Sequence, residues 1–483
     1  MTPPKRRLGL IVTAAIVIAN MIGTGVFTST GFQANSLHDP LTILLAWVVG
    51  GLLALCGAAA YAELGSMMPR AGGEYVYLSE AYHPALGFLS GWASLTAGFS
   101  APIAAAALAF SAYLGKLFPI LGLGDTWIAL PIRLEVIHFT ITFGPGQAVA
   151  ILLIGAVTAL HAFDSKIGGW VQAAFTAAKV LLISLFILGG LVLGTGDWGH
   201  LASQHGGLSN VGTMAFATSL MYVSFAYSGW NAAAYIANEV ERPERTLPRA
   251  LLLGTGAVMA LYVLLNLVFF YAVPSDVLAG PSTEFSPVIE VGDVAARSLF
   301  GNSAGRLVTS VIALALVSSV SAMIMAGPRV YAAMAVDRAL PQALKHHNQR
   351  GVPVAAVITQ GVIATLFVVV GEIGSLIRFV GFTLAVFAAL TVGAVFILRR
   401  RGHRAAYRTF GYPFTPIAFI ALSVWIAIAQ IKAQPKESLV VLLVMIVGAV
   451  LYVTMVRGKS RLPDESLPEM PEARVVGSGD DPA

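Results

Sequence analysis

Met21-Ile22-Gly23-Thr24-Gly25-Val26-Phe27 interrupts the first hydrophobic segment of a 483-residue chain near the depth where a spanning helix should be most regular. Two glycines around a β-branched threonine continue a helix poorly. In a bilayer such an interruption is tolerated only where the freed backbone groups line a cavity or meet protein partners. A second interruption, Tyr227-Ser228-Gly229-Trp230-Asn231, falls about 200 residues later inside another hydrophobic segment. Two broken spans at matching places in the halves of a membrane chain are the best sequence pointer to a transport site.

The composition sets the class. Hydrophobic residues make up 57% of the chain and charged residues 11%, with a mean hydropathy of +0.80, whereas a soluble chain carries about 25% charged residues. Apolar stretches long enough to cross a bilayer recur along nearly the whole length, which predicts an all-α polytopic membrane protein. Lys5-Arg6-Arg7 leads straight into a segment too long for a signal-peptide core, with no small-residue cleavage site, so no cleavable signal peptide is expected. The single cysteine, Cys56, falls inside a span, and disulfides are not expected. The net charge of +5 reads as topology, not as affinity for nucleic acid.

Twelve spans are predicted, at 9–34, 41–68, 84–118, 147–163, 168–195, 213–239, 248–273, 304–336, 353–370, 375–398, 412–431 and 437–456. An even number puts both termini on one side. Most basic residues, among them Lys5-Arg6-Arg7, Arg242, Arg245, Arg249 and Arg399-Arg400-Arg401, fall on that side. Lys116, Arg133, Arg297, Arg306, Lys432 and Lys436 fall opposite. The positive-inside rule therefore puts residues 1–8 and the tail in the cytoplasm. Residues 9–195 and 213–400 each open with a broken helix and enter from opposite sides, which predicts an inverted pair of five-helix repeats. Two further helices, within 412–456, lie outside that symmetry. Residues 285–299 are expected to form a short extracellular helix. The tail 457–483, rich in Pro, Glu, Asp and Gly, reads as disordered.

The breaks have a chemistry. A half-helix beginning near Val26 presents amide N–H groups without internal partners and a partial positive charge, which suits a carboxylate. The half-helix ending near Ile22 presents carbonyls, which suit an ammonium. One break thus matches the zwitterionic head of an α-amino acid, and the carbonyls near Ser228-Gly229 add to it. Close helix packing through small residues would also explain a single Gly-x-Gly. Phe225, Tyr227, Trp230 and Tyr235 surround the second break and read as a substrate wall or gate. Phe225 lies about 18 Å into its span, too deep for an interfacial belt.

Lys179 lies roughly 16 Å from the cytoplasmic end of the fifth span, beyond the reach of snorkelling. An ionisable group at that depth needs a partner. With no acid at similar depth in the neighbouring spans, the carbonyls freed at the first break are the expected partners, and proton coupling is a candidate role. Glu63, Glu239 and Arg329 are expected to pair at the inner mouth. Glu372 and Arg378 are expected to be solvated, and His161 reads as a polar residue near a helix end. The sequence contains no P-loop, no metal-ligand cluster and no nucleophile with a spaced base, so neither enzymatic chemistry nor a cofactor is expected.

Together with the first break, the runs Tyr61-Ala62-Glu63-Leu64, Pro69-Arg70-Ala71-Gly72-Gly73-Glu74-Tyr75, Phe225-Ala226-Tyr227-Ser228-Gly229-Trp230-Asn231 and Arg329-Val330-Tyr331-Ala332-Ala333-Met334-Ala335 carry a family resemblance. Over the ten-span core the chain resembles the amino acid–polyamine–organocation superfamily, and within it the bacterial relatives of the L-type amino acid transporters. The resemblance implies a leucine-transporter-like inverted 5+5 repeat, with two discontinuous helices plus two additional ones, working by alternating access. It implies a substrate site built from Met21, Ile22, Gly23, Thr24, Gly25, Phe225, Ser228, Gly229, Trp230, Asn231 and Tyr235. In it Thr24 and Gly25 donate N–H groups to the carboxylate. The carbonyls of Met21, Phe225 and Ser228 accept from the ammonium, and Phe225 gates the substrate. Lys179 matches a lysine that stands where a sodium ion sits in sodium-coupled relatives.

The predicted middle of the third span carries Ser94, Thr96, Ser100 and alanines but no charged residue, where some cationic-substrate members of the family place a carboxylate, so the resemblance favours a neutral substrate. The expected activity is sodium-independent transport of a neutral L-amino acid across the cell membrane, by proton symport or by amino acid exchange. No disulfide-linked subunit is expected. Amine, polyamine or cationic amino acid antiport would need carboxylates facing the pocket, and none is visible in the sequence. A non-transporting amino acid sensor would ordinarily carry an added soluble domain.

Overall fold

A computed structural model describes residues 8–133, 138–163, 165–202, 206–280 and 288–456. The basic N-terminal cluster, the tail 457–483 and the first residues of the expected 285–299 helix lie outside them. The described chain is mostly helical. The first hydrophobic segment is two helices, α1 (Leu10–Met21) and α2 (Thr24–Leu37). Helix α3 (Pro40–Met67) starts behind an N-cap, Asp39, whose carboxylate accepts from Thr42 N at 2.8 Å. A turn through Gly72 and Gly73, both with positive φ, leads into α4 (Glu74–Ala81).

The third span is α5 (Pro84–Ala93), a π-helical stretch at Ser94–Ser100, and α6 (Ala101–Leu117). Pro102 explains the π turn. It has no N–H to donate and its ring crowds the carbonyl four residues back. The ladder widens just before it, where Ala101 N–H reaches Thr96 O. Helices α7 (Pro145–Phe163) and α8 (Ser165–Leu193) follow, then α9 (Met214–Ala226) and α10 (Ala232–Tyr235) on either side of the second break. The rest are α11 (Pro243–Ala272), α12 (Ser275–Ala279), α13 (Val291–Val336), α14 (Val354–Val370), α15 (Ile373–Arg400), α16 (Phe414–Ala433) and α17 (Pro435–Met455). Helix α13 turns at Gly301 (φ 77°), so its first part is a separate short helix, as expected before the eighth span.

By length and composition, ten helical stretches among the described residues can cross a membrane, counting α1–α2 and α5–α6 as one each. Two of the twelve predicted spans are shorter apolar helices. The sixth is divided by its own break, leaving the 13 residues of α9, and the ninth is the 17-residue α14. The all-α expectation needs one correction. Between the third and fourth spans, β1 (Ile128–Arg133) and β2 (His138–Phe143) form an antiparallel hairpin with Ile128 opposite Phe143. Alternating Ile, Leu, Phe and Thr fit a strand once the chain is in a loop between spans.

The broken helices sit inside the bundle. Helix α1 packs on α11 and α13, α2 on α9, and α3 on α11. Helices α7, α8 and α17 present exposed Leu152, Leu185, Leu188, Leu442 and Val450, an apolar surface fit for lipid.

Candidate substrate site between the broken helices

The first break is two extended residues. Ile22 (φ −71°, ψ 98°) and Gly23 (φ −142°, ψ −153°) separate Met21 from Thr24. Gly23 is the N-cap of α2 and offers no side chain to cap it. The half-helix therefore starts two residues earlier than the glycine pattern suggests, and Gly25 is already helical. The amides of Thr24 and Gly25 stay in the first turn, without an i−4 partner. The Thr24 hydroxyl is buried and lacks a hydrogen-bond partner.

Gly25 has a different reason to be glycine. A Cβ there would lie 2.3 Å from Ala226 Cα, so the backbones of the two broken helices touch at this point. Gly229 repeats the arrangement from the other side. Its φ is +96°, and a Cβ would meet Asn20 O at 2.7 Å. The two interruptions are interlocked, 25 against 226 and 229 against 20. Small-residue packing and helix breaking are both present, at neighbouring glycines.

The carbonyls freed at the end of α1 are taken by side chains. Lys179 is 2% exposed, and its Nζ donates to Ala19 O at 2.7 Å and Ile22 O at 2.6 Å. Ser319 Oγ of α13 donates to Ile22 O at 3.0 Å. Tyr262 Oη of α11 donates to Met21 O at 2.6 Å and lies 3.2 Å from Ala226 O, so one hydroxyl bridges both breaks. The structure thus pairs Lys179 with the carbonyls of the first break. It also adds Tyr262 and Ser319, which the sequence reading passed over. A hydroxyl set in the apolar run of the seventh span and the Ser318-Ser319…Ser321 cluster of the eighth were the available signals.

Of the carbonyls expected to accept from an ammonium, Met21 O already accepts from Tyr262, and Phe225 O from Ser228 N–H at 3.0 Å. Each oxygen keeps a second lone pair. Phe225 is buried, and the ring walls of the cavity beside the second break are Phe99, Tyr227, Trp230, Tyr235 and Phe419 instead. That cavity, about 80 Å³, is bounded by Ser228, Gly229, Trp230, Asn231 and Tyr235 of the expected set. Met21, Ile22, Gly23, Thr24 and Gly25 are not among its walls; the first helix contributes Asn20. The π stretch supplies Gly98 and Phe99, in keeping with the frequent placement of π turns at functional sites.

One wall residue overturns an expectation. The sequence showed no carboxylate facing the pocket, yet Glu74, at the start of α4, lines the cavity at 3% exposure. The Gly72-Gly73 turn presses it against the second break; a Cβ on Gly73 would meet the Tyr235 ring at 2.5 Å. Glu74 Oε1 accepts from Tyr61 Oη at 2.5 Å and Asn231 Nδ2 at 2.9 Å, and Oε2 from Tyr235 Oη at 3.3 Å. Burial raises its pKa above the usual carboxylate value, and hydrogen bonds from Tyr61, Asn231 and Tyr235 pull it back. Glu74 escaped notice because it lies between predicted spans.

Outside the cavity lining, Glu63, Glu239 and Arg329 each find a charged partner. Glu63 is held by Arg399 (2.7 Å to each oxygen) and Thr409, and Glu239 by Arg329 at 2.9 Å. Glu372 is exposed, but Arg378 is a correction. It is buried and donates to Glu437 at 3.0 Å, because α17 folds back over its helix. His161 is likewise buried, 2.8 Å from Ser321 Oγ.

Residues 8–455 match the family model described as amino acid permease. The chain is 28% identical over 465 residues to the serine/threonine exchanger SteT of Bacillus subtilis, covering 94% of this chain and 98% of that protein. It is 30% identical to the human b(0,+)-type amino acid transporter 1, over 95% of this chain and 89% of the relative. To the rabbit large neutral amino acids transporter small subunit 2 it is 27% identical, over 93% and 80%.

Proposed function

Since this chain belongs to the amino acid permease family, we propose that it exchanges neutral L-amino acids across the cell membrane without sodium. In this reading it has twelve spans, an inverted 5+5 repeat and both termini in the cytoplasm. The substrate carboxylate meets the Thr24 and Gly25 amides at the N-terminus of α2. The substrate ammonium meets the Ser228 carbonyl and the free lone pairs of Met21 O and Phe225 O. Ile22, Gly23 and Gly229 set the backbone path, and Trp230, Asn231 and Tyr235 bound the side chain.

The observation that carries the reading is the Lys179 ammonium on the carbonyls of Ala19 and Ile22. A fixed ammonium there already supplies the positive charge that a coordinated cation would bring. Exchange is favoured over symport because one relative, SteT of Bacillus subtilis, is an exchanger.

The test is uptake of labelled neutral amino acids into proteoliposomes, empty or preloaded with unlabelled substrate, with and without sodium and an inward proton gradient. Exchange predicts uptake only into preloaded vesicles, unchanged by sodium. Gradient-driven uptake into empty vesicles would instead establish proton symport and make Lys179 the leading proton carrier.

A further inference from the structure

Glu74 is the carboxylate of the cavity, and every group that touches it is neutral. An ionised carboxylate offers about four acceptor positions. Oε1 uses two, on Tyr61 Oη and Asn231 Nδ2. Oε2 has a single long partner, Tyr235 Oη at 3.3 Å. Among the described residues no lysine or arginine pairs with Glu74. Two other acids differ: buried Glu63 has Arg399, and half-buried Glu239 has Arg329.

A buried carboxylate without a cation is costly unless its remaining acceptor capacity is used. Asn231 fixes its orientation. Its amide donates both to Glu74 and to Tyr235 Oη at 2.9 Å, so the donors of this wall are directed at one another and at the carboxylate. What the wall leaves for a ligand is an acceptor, Oε2. The rings of Phe99 and Trp230 line the same cavity, packed against Tyr235 and Tyr61 respectively, and offer apolar surface for methyl or methylene groups.

The geometry points to a side-chain subsite in which Glu74 Oε2 accepts a hydrogen bond from a hydroxyl or ammonium carried by the substrate's side chain. The inference rests on the reading that this cavity carries an amino acid. It narrows that reading to amino acids bearing a short side-chain donor; a hydroxyl keeps the substrate neutral, as proposed above, and an ammonium would replace the neutral substrate by a cationic one. Discrimination of this kind is intrinsically larger than sorting by size. An apolar pocket separates one methylene by 10–200-fold at most, whereas a site with a buried polar group left unpaired by the wrong substrate rejects it more strongly.

The test uses the full chain in preloaded proteoliposomes and measures exchange of threonine, its isostere valine, and 2,4-diaminobutyrate. In the wild type, threonine or diaminobutyrate is expected to exceed valine at least tenfold in kcat/KM. Whichever leads identifies the donor as hydroxyl or ammonium. In Glu74→Gln the amide oxygen takes the donors of Tyr61 and Asn231, so the NH2 replaces Oε2 and the subsite turns from acceptor to donor. The threonine-to-valine and diaminobutyrate-to-valine ratios should then fall toward one. Equal use of threonine, valine and diaminobutyrate by the wild type would overturn the inference whether or not the variant folds. So would a Glu74→Gln protein that loses all three in proportion. A wild type that exchanges other neutral amino acids but none of these three would overturn it too, and one that exchanges no amino acid would instead refute the parent reading of function.

Discussion

The two interruptions look alike in sequence and differ in what surrounds them. The first is clamped: the carbonyls of Ala19, Met21 and Ile22 are each held by a side chain from another helix, Lys179 from α8, Tyr262 from α11 and Ser319 from α13. The second forms a cavity wall, and Ser228, Gly229, Trp230 and Asn231 line open space beside Glu74. Unpaired helix ends in a membrane must be satisfied somewhere. Satisfying the first break with fixed side chains turns it into an anchor, and the second is left to bound the cavity. The glycines lock the two together, so the anchor positions the wall.

Breaking the lock should have the largest effect. Gly25→Ala places a methyl 2.3 Å from Ala226 Cα, and the obstacle is backbone, which cannot swing away as a side chain would. Overpacking of this kind costs about 1–3 kcal/mol where a core can adjust, and more where it cannot. Exchange should fall below detection and the thermal midpoint in detergent should drop; a variant with wild-type rates would show that the breaks are not in contact during transport. Lys179→Ala comes next. It removes two charge-assisted hydrogen bonds of about 1.5–3 kcal/mol each. Part of that loss appears in the transport cycle, so exchange is expected to fall by about 100-fold. The protein should remain monodisperse on size exclusion, since Tyr262 and Ser319 still hold the break. Full activity in that variant would remove the lysine from the mechanism.

The anchor was the more legible of the two regions. A lysine deep in an apolar span has few partners available, and Gly23-Thr24-Gly25 announced where carbonyls would be free. The start of α2 lies two residues before Val26 because Gly23 is its cap, a distinction that dihedral angles carry and letters do not. The wall was less legible. Asn231 and Tyr235 were placed near the substrate from the family resemblance, but Glu74 reaches them only because Gly72-Gly73 folds a loop back against the second break. Tertiary approach of a loop leaves no periodic trace in the sequence. The same holds for Arg378, which reads as a solvated residue until α17 supplies Glu437. The β1–β2 hairpin was hidden by a different cause, an apolar alternation in a chain where apolar residues are everywhere.

The smallest effects separate the contributions within the anchor. Tyr262→Phe removes one neutral hydrogen bond, worth about 0.5–1.5 kcal/mol, and should slow exchange about three- to tenfold. Ser319→Ala should do less, about twofold, because Lys179 still occupies Ile22 O, the oxygen they share. Their sharing makes a sharper test than either single change. With Lys179 replaced by alanine, Ser319 is the last side chain on Ile22 O, and removing it then leaves that carbonyl without a side-chain partner. Ser319→Ala should therefore cost more in the Lys179→Ala background than in the wild type, the non-additivity expected of two groups on one acceptor. Thermal midpoints of the four proteins measure it even where transport is too slow to follow. Strictly additive shifts would mean that lysine and serine act on separate features of the break, and the anchor would then be a set of independent contacts.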